Sequence, residues 1–332
     1  MDKTFIYTII LIIIFVISFI YNNKIYIIIF ILHYKKQVPW YSDLPFNKNK
    51  IPPLYTDWMS HIKDETDIRE LSIPGTHDSA SSKFIGCCLC WINFISQVQS
   101  WSIEDQLICG IRYFDLRPGG DGIIYHGDHK TIYSFINIFE IFKKFLYKHS
   151  KECLFVRIQF QFKKCNNNIE MSKQKMVYNI FDKYKDILYN DDIIPTIGKL
   201  RGKIYLLLER LEYNNYLIWD KNNVIKLQDY YRFWGIRKYE IEKKKKLVKE
   251  YMFNKEKDKL IINHCSAIGR GALTTLRYVA YCVNKVPYDE NGFRGIFAFD
   301  FPGEDLIKHI IRQNKSFEIN DISIISKENI IC

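Results

Sequence analysis

The stretch LSIPGTHDSA at 71–80 decides how the rest of the chain is read. An apolar run ends in Gly-Thr-His-Asp, so two titratable side chains, His77 and Asp78, sit side by side where a strand should stop. Gly75 is expected to permit a tight turn there, with Thr76 orienting the backbone. A strand that ends in chemistry needs partners at the ends of other strands. Runs rich in β-branched and aromatic residues recur around it: IRELSI (68–73), GIRYFDLR (110–117), GIIYH (122–126), ECLFVRIQF (152–160), KIYLLLER (203–210), NVIKLQ (223–228), KLIINHC (259–265) and RGIFAFDF (294–301). Helix-like segments fill most gaps: IEDQLIC, YSFINIFEIFKKFLYKH, SKQKMVYNIFDKYKDILY, KYEIEKKKKLVKEY and RYVAYCVN. Strands alternating with helices imply a parallel sheet. Eight of them over ~250 residues predict an α/β fold, a distorted TIM (β/α)8-type barrel. A doubly wound open sheet is the alternative, but the Gly-rich dinucleotide loop it would bring is missing.

Barrels of this kind place their sites at the C-terminal strand ends. The first strand offers His77 and Asp78. The second ends in FDLRP, where period-two alternation puts Ile111, Tyr113, Asp115 and Arg117 on one face. The third ends at His126, the sixth leads into QDYY with Asp229 and Tyr231, the seventh ends in NHCS, and the eighth ends at Asp300. Two histidines flanking an arginine suit displacement at a phosphate diester. One imidazole acts as base, the other as acid, and the guanidinium stabilises charge on the phosphoryl oxygens. Asp115 beside Arg117 reads as its salt-bridge partner. Because the guanidinium supplies the positive charge that a cation would bring, neither a metal nor another cofactor is expected.

The ends of the chain read differently. TFIYTIILIIIFVISFIY (4–21) is uncharged, and IYIIIFIL (25–32) resumes the apolar run after a short polar break. At ~1.5 Å per residue a tilted helix here crosses a ~30 Å hydrocarbon core, with Lys24 snorkelling. A buried soluble helix and a cleaved signal peptide are the rival readings; no small-x-small cleavage site follows the run. The expected organisation is a transmembrane anchor (1–34), a Pro- and Lys-containing linker (35–54), a catalytic barrel (55–312) and a C-terminal tail (313–332). That makes a single-pass membrane protein, and Lys35 and Lys36 favour a cytosolic barrel. The net charge of +11 suits an anionic partner. An anionic lipid surface fits it; nucleic acid does not, for lack of a helix-turn-helix or a single-strand stacking platform. The basic run EIEKKKKLVKE (240–250) reads first as a solvated helix face and second as a lipid contact. Aromatics in FWGIRKY (233–239) and CCLCWINF (87–94) are either core or membrane-dipping. Nine cysteines without regular spacing read as free thiols rather than as a disulfide framework.

SIPGTHDS, QLICGIRYFDLRP and IIYHG, in that order, together resemble the X domain of bacterial-type, metal-independent phosphatidylinositol-specific phospholipase C. The resemblance continues through LRGKIYLLLER, LQDYY, LIINHCSA and IFAFDF, over about residues 55–310. It implies a distorted TIM barrel that cleaves phosphatidylinositol, or a glycosylated form of it, to diacylglycerol and inositol 1,2-cyclic phosphate. It further implies that His77 deprotonates the inositol 2-hydroxyl and that Asp300 orients His77. By the same resemblance His126 protonates the leaving oxygen, Arg117 holds the phosphate, and Asp78 assists the acid side through His126 or Arg117. Asp229 and Tyr231 match the part that binds and stacks on the inositol ring, and Asp115 is placed with the substrate. The family's strand-four lysine is replaced by Gln159, with Arg157 on the same face, and Arg210 matches the strand-five basic residue only with one residue of slippage. A non-catalytic lipid-binding barrel is the competing class. The presence of His77, Arg117, His126 and Asp300 together argues against it.

Overall fold

In the computed structural model of the chain, the described residues are 37–314, except 48, 50–52, 87–95, 161–166, 192–193, 210–216, 219–222, 236 and 270–274. The transmembrane reading of 1–34 and most of the C-terminal tail fall outside them. Among the described residues no helix is long and apolar enough to cross a membrane.

A parallel sheet of eight strands organises the molecule. The strands are β1 (Ser72–Thr76), β2 (Tyr113–Leu116), β3 (Leu154–Gln159), β4 (Ile204–Glu209), β5 (Leu217–Ile218), β6 (Ile225–Gln228), β7 (Leu260–His264) and β8 (Gly295–Phe299). Their spatial order is β6-β7-β8-β1-β2-β3-β4-β5, the order of a barrel whose edges are β5 and β6. The sheet is strongly curled. Strands β2 and β7 have two others between them, which in a flat sheet would hold them ~14 Å apart at ~4.8 Å per step. Instead the Tyr113 hydroxyl lies 3.4 Å from His264 Nε2.

Among the described residues, six helices of seven residues or more clothe the sheet: α1 (Ile103–Cys109), α2 (Phe135–Lys148), α3 (Asn167–Lys183), α4 (Arg237–Met252), α5 (Leu276–Val283) and α6 (Glu304–Arg312). Local chemistry sets their limits. The Ser102 hydroxyl accepts from Asp105 N at 3.1 Å to start α1, and Gly110, at φ +106°, ends it. Ser134 caps α2 in the same way. Helix α2 then buries Ile138, Phe139, Phe142 and Leu146, each contributing ~2 kcal/mol of apolar burial. Phe142 meets Phe114 of β2 at 4.9 Å between ring centroids.

Three sequence expectations change. GIIYH does form a strand, Ile123–His126, but it pairs antiparallel with His129–Ser134 in a separate hairpin. Gly127, at φ +58°, turns the chain straight back. The eighth place in the sheet belongs to Leu217–Ile218, too short to leave a sequence pattern. Gly75 lies inside β1 rather than at a turn; a Cβ there would fall 2.6 Å from that of Tyr113, so the glycine lets β1 and β2 close up. The left-handed turn is made by Asp78, at φ +41°. Finally, part of the expected linker is structured. Residues 37–42 form a small hairpin strapped onto the barrel, with Ser42 N donating to Phe301 O at 3.1 Å and Leu306 N to Pro39 O at 3.0 Å.

Candidate active site

The turn after β1 is held from below. Thr76 Oγ1 donates within a network joining Ser79 Oγ at 2.7 Å and Gln106 Oε1 at 2.8 Å. Asp115 N donates to Ser79 Oγ at 2.8 Å. This network and the left-handed Asp78 aim two side chains over the sheet's C-terminal end. His77 and His126 keep 15% and 17% of their side chains open, so a ligand can reach both, whereas Asp78 keeps only 2%.

One carboxylate oxygen organises the centre. Asp78 Oδ2 lies 3.2 Å from His77 Nε2, 3.1 Å from His126 Nε2 and 2.9 Å from Arg117 NH1. The other guanidinium nitrogen, NH2, lies 2.8 Å from His77 Nε2 and 3.0 Å from Asp115 Oδ2. His77 Nδ1 meets Asp300 Oδ1 at 2.9 Å. With its proton on Nδ1 donated in a hydrogen bond to Asp300, the His77 ring presents the Nε2 lone pair to the Arg117 donor. On the second histidine, Nδ1 donates to Ser96 O at 2.5 Å, which again leaves Nε2 to face Asp78.

Burial and the Arg117 charge together hold His77 well below the ordinary imidazole range. Burial, reinforced by Arg117, lowers His126 to about 4. Asp78 moves the other way: burial pushes it up to about 8 against the pull of Arg117. At neutral pH the Asp78–His126 pair therefore holds one proton between them, and His77 holds none on Nε2. Burial would also raise Asp115, but Arg117 and Arg157 outweigh it and keep that carboxylate ionised.

The charge network runs on across β3 and β4. Arg157 NH1 lies 3.3 Å from Asp115 Oδ1, and its other nitrogens grip Glu209. Gln159 Nε2 donates to Glu209 Oε1 at 2.7 Å. On the opposite side Asp229 Oδ1 lies 3.9 Å from His264 Nδ1, and the His264 ring stands 5.9 Å from that of His77. Tyr231 is exposed, with Arg232 stacked on its ring.

The structure thus gathers His77, Asp78, Asp115, Arg117, His126 and Asp300 into one cluster. Gln159 joins it through Glu209 and Arg157, and Asp229 through His264. No described contact ties Tyr231 to the cluster, and Arg210 lies outside the described residues. The sequence reading assigned no role to His264, Arg157 or Glu209. His264 could have been found by alternation, because it shares the inward face of β7 with Leu260 and Ile262. His77, Asp115 and His264 offer ligand atoms within 4.8 Å of one another, a spacing that could hold a metal ion. Arg117 already stands between two of them, within hydrogen-bond distance of both His77 and Asp115. A cation there would have to displace the guanidinium, so these residues fit a metal poorly.

The chain as a whole resembles known proteins. The family model described as phosphatidylinositol-specific phospholipase C, X domain, matches residues 71–210. The 1-phosphatidylinositol phosphodiesterase of Listeria monocytogenes is 32% identical over 283 residues, spanning 78% of this chain and 84% of that protein. The solved structure of phosphatidylinositol-specific phospholipase C from Listeria monocytogenes aligns with a TM-score of 0.68 at 28% identity, covering 79% of this chain and 99% of that one. A variant of the Staphylococcus aureus phosphatidylinositol-specific phospholipase C shares the fold, with a TM-score of 0.65 at 22% identity over 79% of this chain and 97% of its own. Motif, fold and extended sequence similarity agree, and the chain belongs to the phosphatidylinositol-specific phospholipase C family.

Proposed function

We propose that this phosphodiesterase cleaves phosphatidylinositol lipids by intramolecular attack, releasing diacylglycerol and inositol 1,2-cyclic phosphate. The observation that carries the reading is the meeting of two imidazole Nε2 atoms and one guanidinium on a single carboxylate oxygen, Asp78 Oδ2. His77 Nε2 takes the proton of the inositol 2-hydroxyl. That oxygen bonds to phosphorus as the bond from phosphorus to the diacylglycerol oxygen breaks. The leaving oxygen receives the proton held by the Asp78–His126 pair. Arg117 stabilises the charge that builds on the phosphoryl oxygens, and its Nε, buried without a hydrogen-bond partner among the described residues, is a further donor for that role. Asp300 steadies His77, as a carboxylate steadies the imidazole of a Ser-His-Asp triad. Asp229, Tyr231, Gln159 and Arg210 bind the inositol ring.

We further propose that residues 1–34 anchor the enzyme in a membrane and that its net charge of +11 favours anionic lipid surfaces. The test uses the full chain with mixed phosphatidylinositol and phosphatidylcholine vesicles in excess chelator, followed by phosphorus NMR. Cyclic phosphate that forms with the wild type and vanishes in His77→Ala is the expected result. Product that appears only after calcium is added would overturn the role given to Arg117. Vesicle binding without product under either condition would favour a lipid-binding barrel instead.

A further inference from the structure

Both histidines are held from behind by one short segment, residues 96–99. Ser96 O accepts from His126 Nδ1 at 2.5 Å. Three residues on, the side-chain amide of Gln99 divides its nitrogen between two strand ends. Its Nε2 donates to His77 O at 2.7 Å and to Phe299 O at 2.8 Å. Gln99 is 2% exposed, so these bonds do not compete with water. Phe299 O also accepts from His77 N at 3.0 Å. The next residue along is Asp300, the carboxylate against His77 Nδ1. Between them, Val98 O accepts from Phe301 N at 2.8 Å.

We infer that Gln99 is a positioning residue for the base: it pins the ends of β1 and β8 to each other and so sets the His77–Asp300 distance. The inference rests on His77 acting as the base. The clamp is braced in turn. Gln99 O accepts from Gln97 Nε2 at 3.0 Å, and Gln97 Oε1 accepts from Arg277 NH2 at 2.8 Å. Arg277 lies over the Phe301 ring at 4.6 Å and 3.6 Å from Asp43 Oδ2, which the Tyr41 hydroxyl also reaches at 3.0 Å. Tyr41 belongs to the N-terminal strap, and Asp43 follows the strap directly. A chain of side chains therefore runs from the strap, through α5, to the backbone of His77. A single amide closes both strand ends, which gives a reason for a buried glutamine in a segment with no regular structure.

The experiment measures cleavage of phosphatidylinositol in mixed vesicles by the full chain carrying Gln99→Glu or Gln99→Leu, beside the wild type, His77→Ala and Val177→Ala. The first variant keeps the shape and removes both N–H donors; the second keeps the bulk alone. Val177 is buried on α3, in the outer layer, and its truncation lowers Tm without touching the clamp. A misplacement of the base by a fraction of an ångström to 1 Å costs up to ~10²-fold in rate. Both Gln99 variants are therefore expected to lose kcat on that scale with KM unchanged. The low-field proton resonance of the His77 Nδ1–Asp300 hydrogen bond should shift or disappear in them, while Val177→Ala keeps both. Retention of wild-type kcat and of that resonance in Gln99→Leu would overturn the inference. So would a loss that merely follows Tm as in Val177→Ala. A wild type that yields no product would instead count against the proposed function, which the His77→Ala arm tests separately.

Discussion

The two sides of the barrel mouth are built in different ways. On the side of β1, β2 and the 123–134 hairpin, every group of the cluster is gripped by at least one other within 3.3 Å: His77 by Asp300 and Arg117, Arg117 by Asp78 and Asp115, Asp115 by Arg157. On the side of β6 and β7, Asp229 reaches His264 only at 3.9 Å, and Tyr231 stands in solvent. The first side is assembled before any ligand arrives. The second offers surfaces that a ligand must complete. Preorganised charge lowers a barrier because nothing has to reorganise at the moment of reaction. Open polar and aromatic groups tune recognition instead. Substitutions on the first side should therefore act on kcat, and those on the second on KM.

The largest loss is expected from His77→Ala. Removing a general base costs ~10²- to 10⁴-fold, and here the same change leaves Asp300 facing an empty space. Turnover in a vesicle assay should fall by the upper end of that range or below detection, with vesicle binding intact. Arg117→Lys comes next. The ammonium keeps the charge but cannot touch Asp78, Asp115 and His77 Nε2 at once, as the planar fork does. A drop in kcat of ~10²- to 10³-fold, the range for a lost transition-state donor, is expected. A fully active Arg117→Lys would show that charge alone suffices and would erase the contrast between the two sides.

The same contrast explains what could be read from the sequence. The gripped side is dense in residues whose spacing carries meaning: a strand tip ending in His77-Asp78, and period-two alternation that puts Asp115 and Arg117 on one face. Its helices were legible too, because Ser102 and Gly110 mark the ends of α1 in the sequence itself. What was missed depended on contacts distant in sequence. Whether GIIYH joins the main sheet is decided by Gly127 and by the availability of β3, not by the strand itself. Gly75 looked like a turn residue because the close approach of Tyr113, 38 positions away, leaves no local sign. Strand β5 is two residues long, below the length at which alternation can be recognised. Gln99 sits in a segment without periodicity, so only the folded chain brings it to His77.

A smaller effect, with a definite pH signature, is expected from Asp78→Asn. Burial raises Asp78 from 3.8 to about 8, so the proton it shares with His126 is lost as pH rises through about 8. Turnover should fall along that limb in the wild type. In Asp78→Asn the limb should vanish, and kcat should stand ~10²-fold lower because the proton reservoir of the acid is gone. Stability should fall in the same direction. A carboxyl whose folded pKa exceeds its unfolded one binds more protons in the native state. Its favourable contribution is complete below the unfolded value and is lost as pH rises through the folded one. The thermal stability of the wild type should therefore fall as pH rises from about 4 to about 8 and level off beyond it, while Asp78→Asn lacks this component over that window. A parallel decline in both proteins would show that the carboxylate is not the group responsible.

The smallest change belongs to the open side. Tyr231 is 43% exposed, and its ring meets Arg232 at 5.2 Å rather than the buried cluster. The turn that carries it is anchored elsewhere, since Lys244 donates to Tyr230 O at 2.9 Å and to Gln228 Oε1 at 3.1 Å. Removing the ring should therefore leave the turn in place and take away only a stacking surface, worth about 1 kcal/mol. Tyr231→Ala is expected to raise KM about fivefold while kcat stays near the wild-type value. A matching fall in kcat would mean that the ring acts on the reacting atoms. Tyr231 would then belong with the gripped side, and the division between a prebuilt chemical half and a completed recognition half would have to be redrawn at β6.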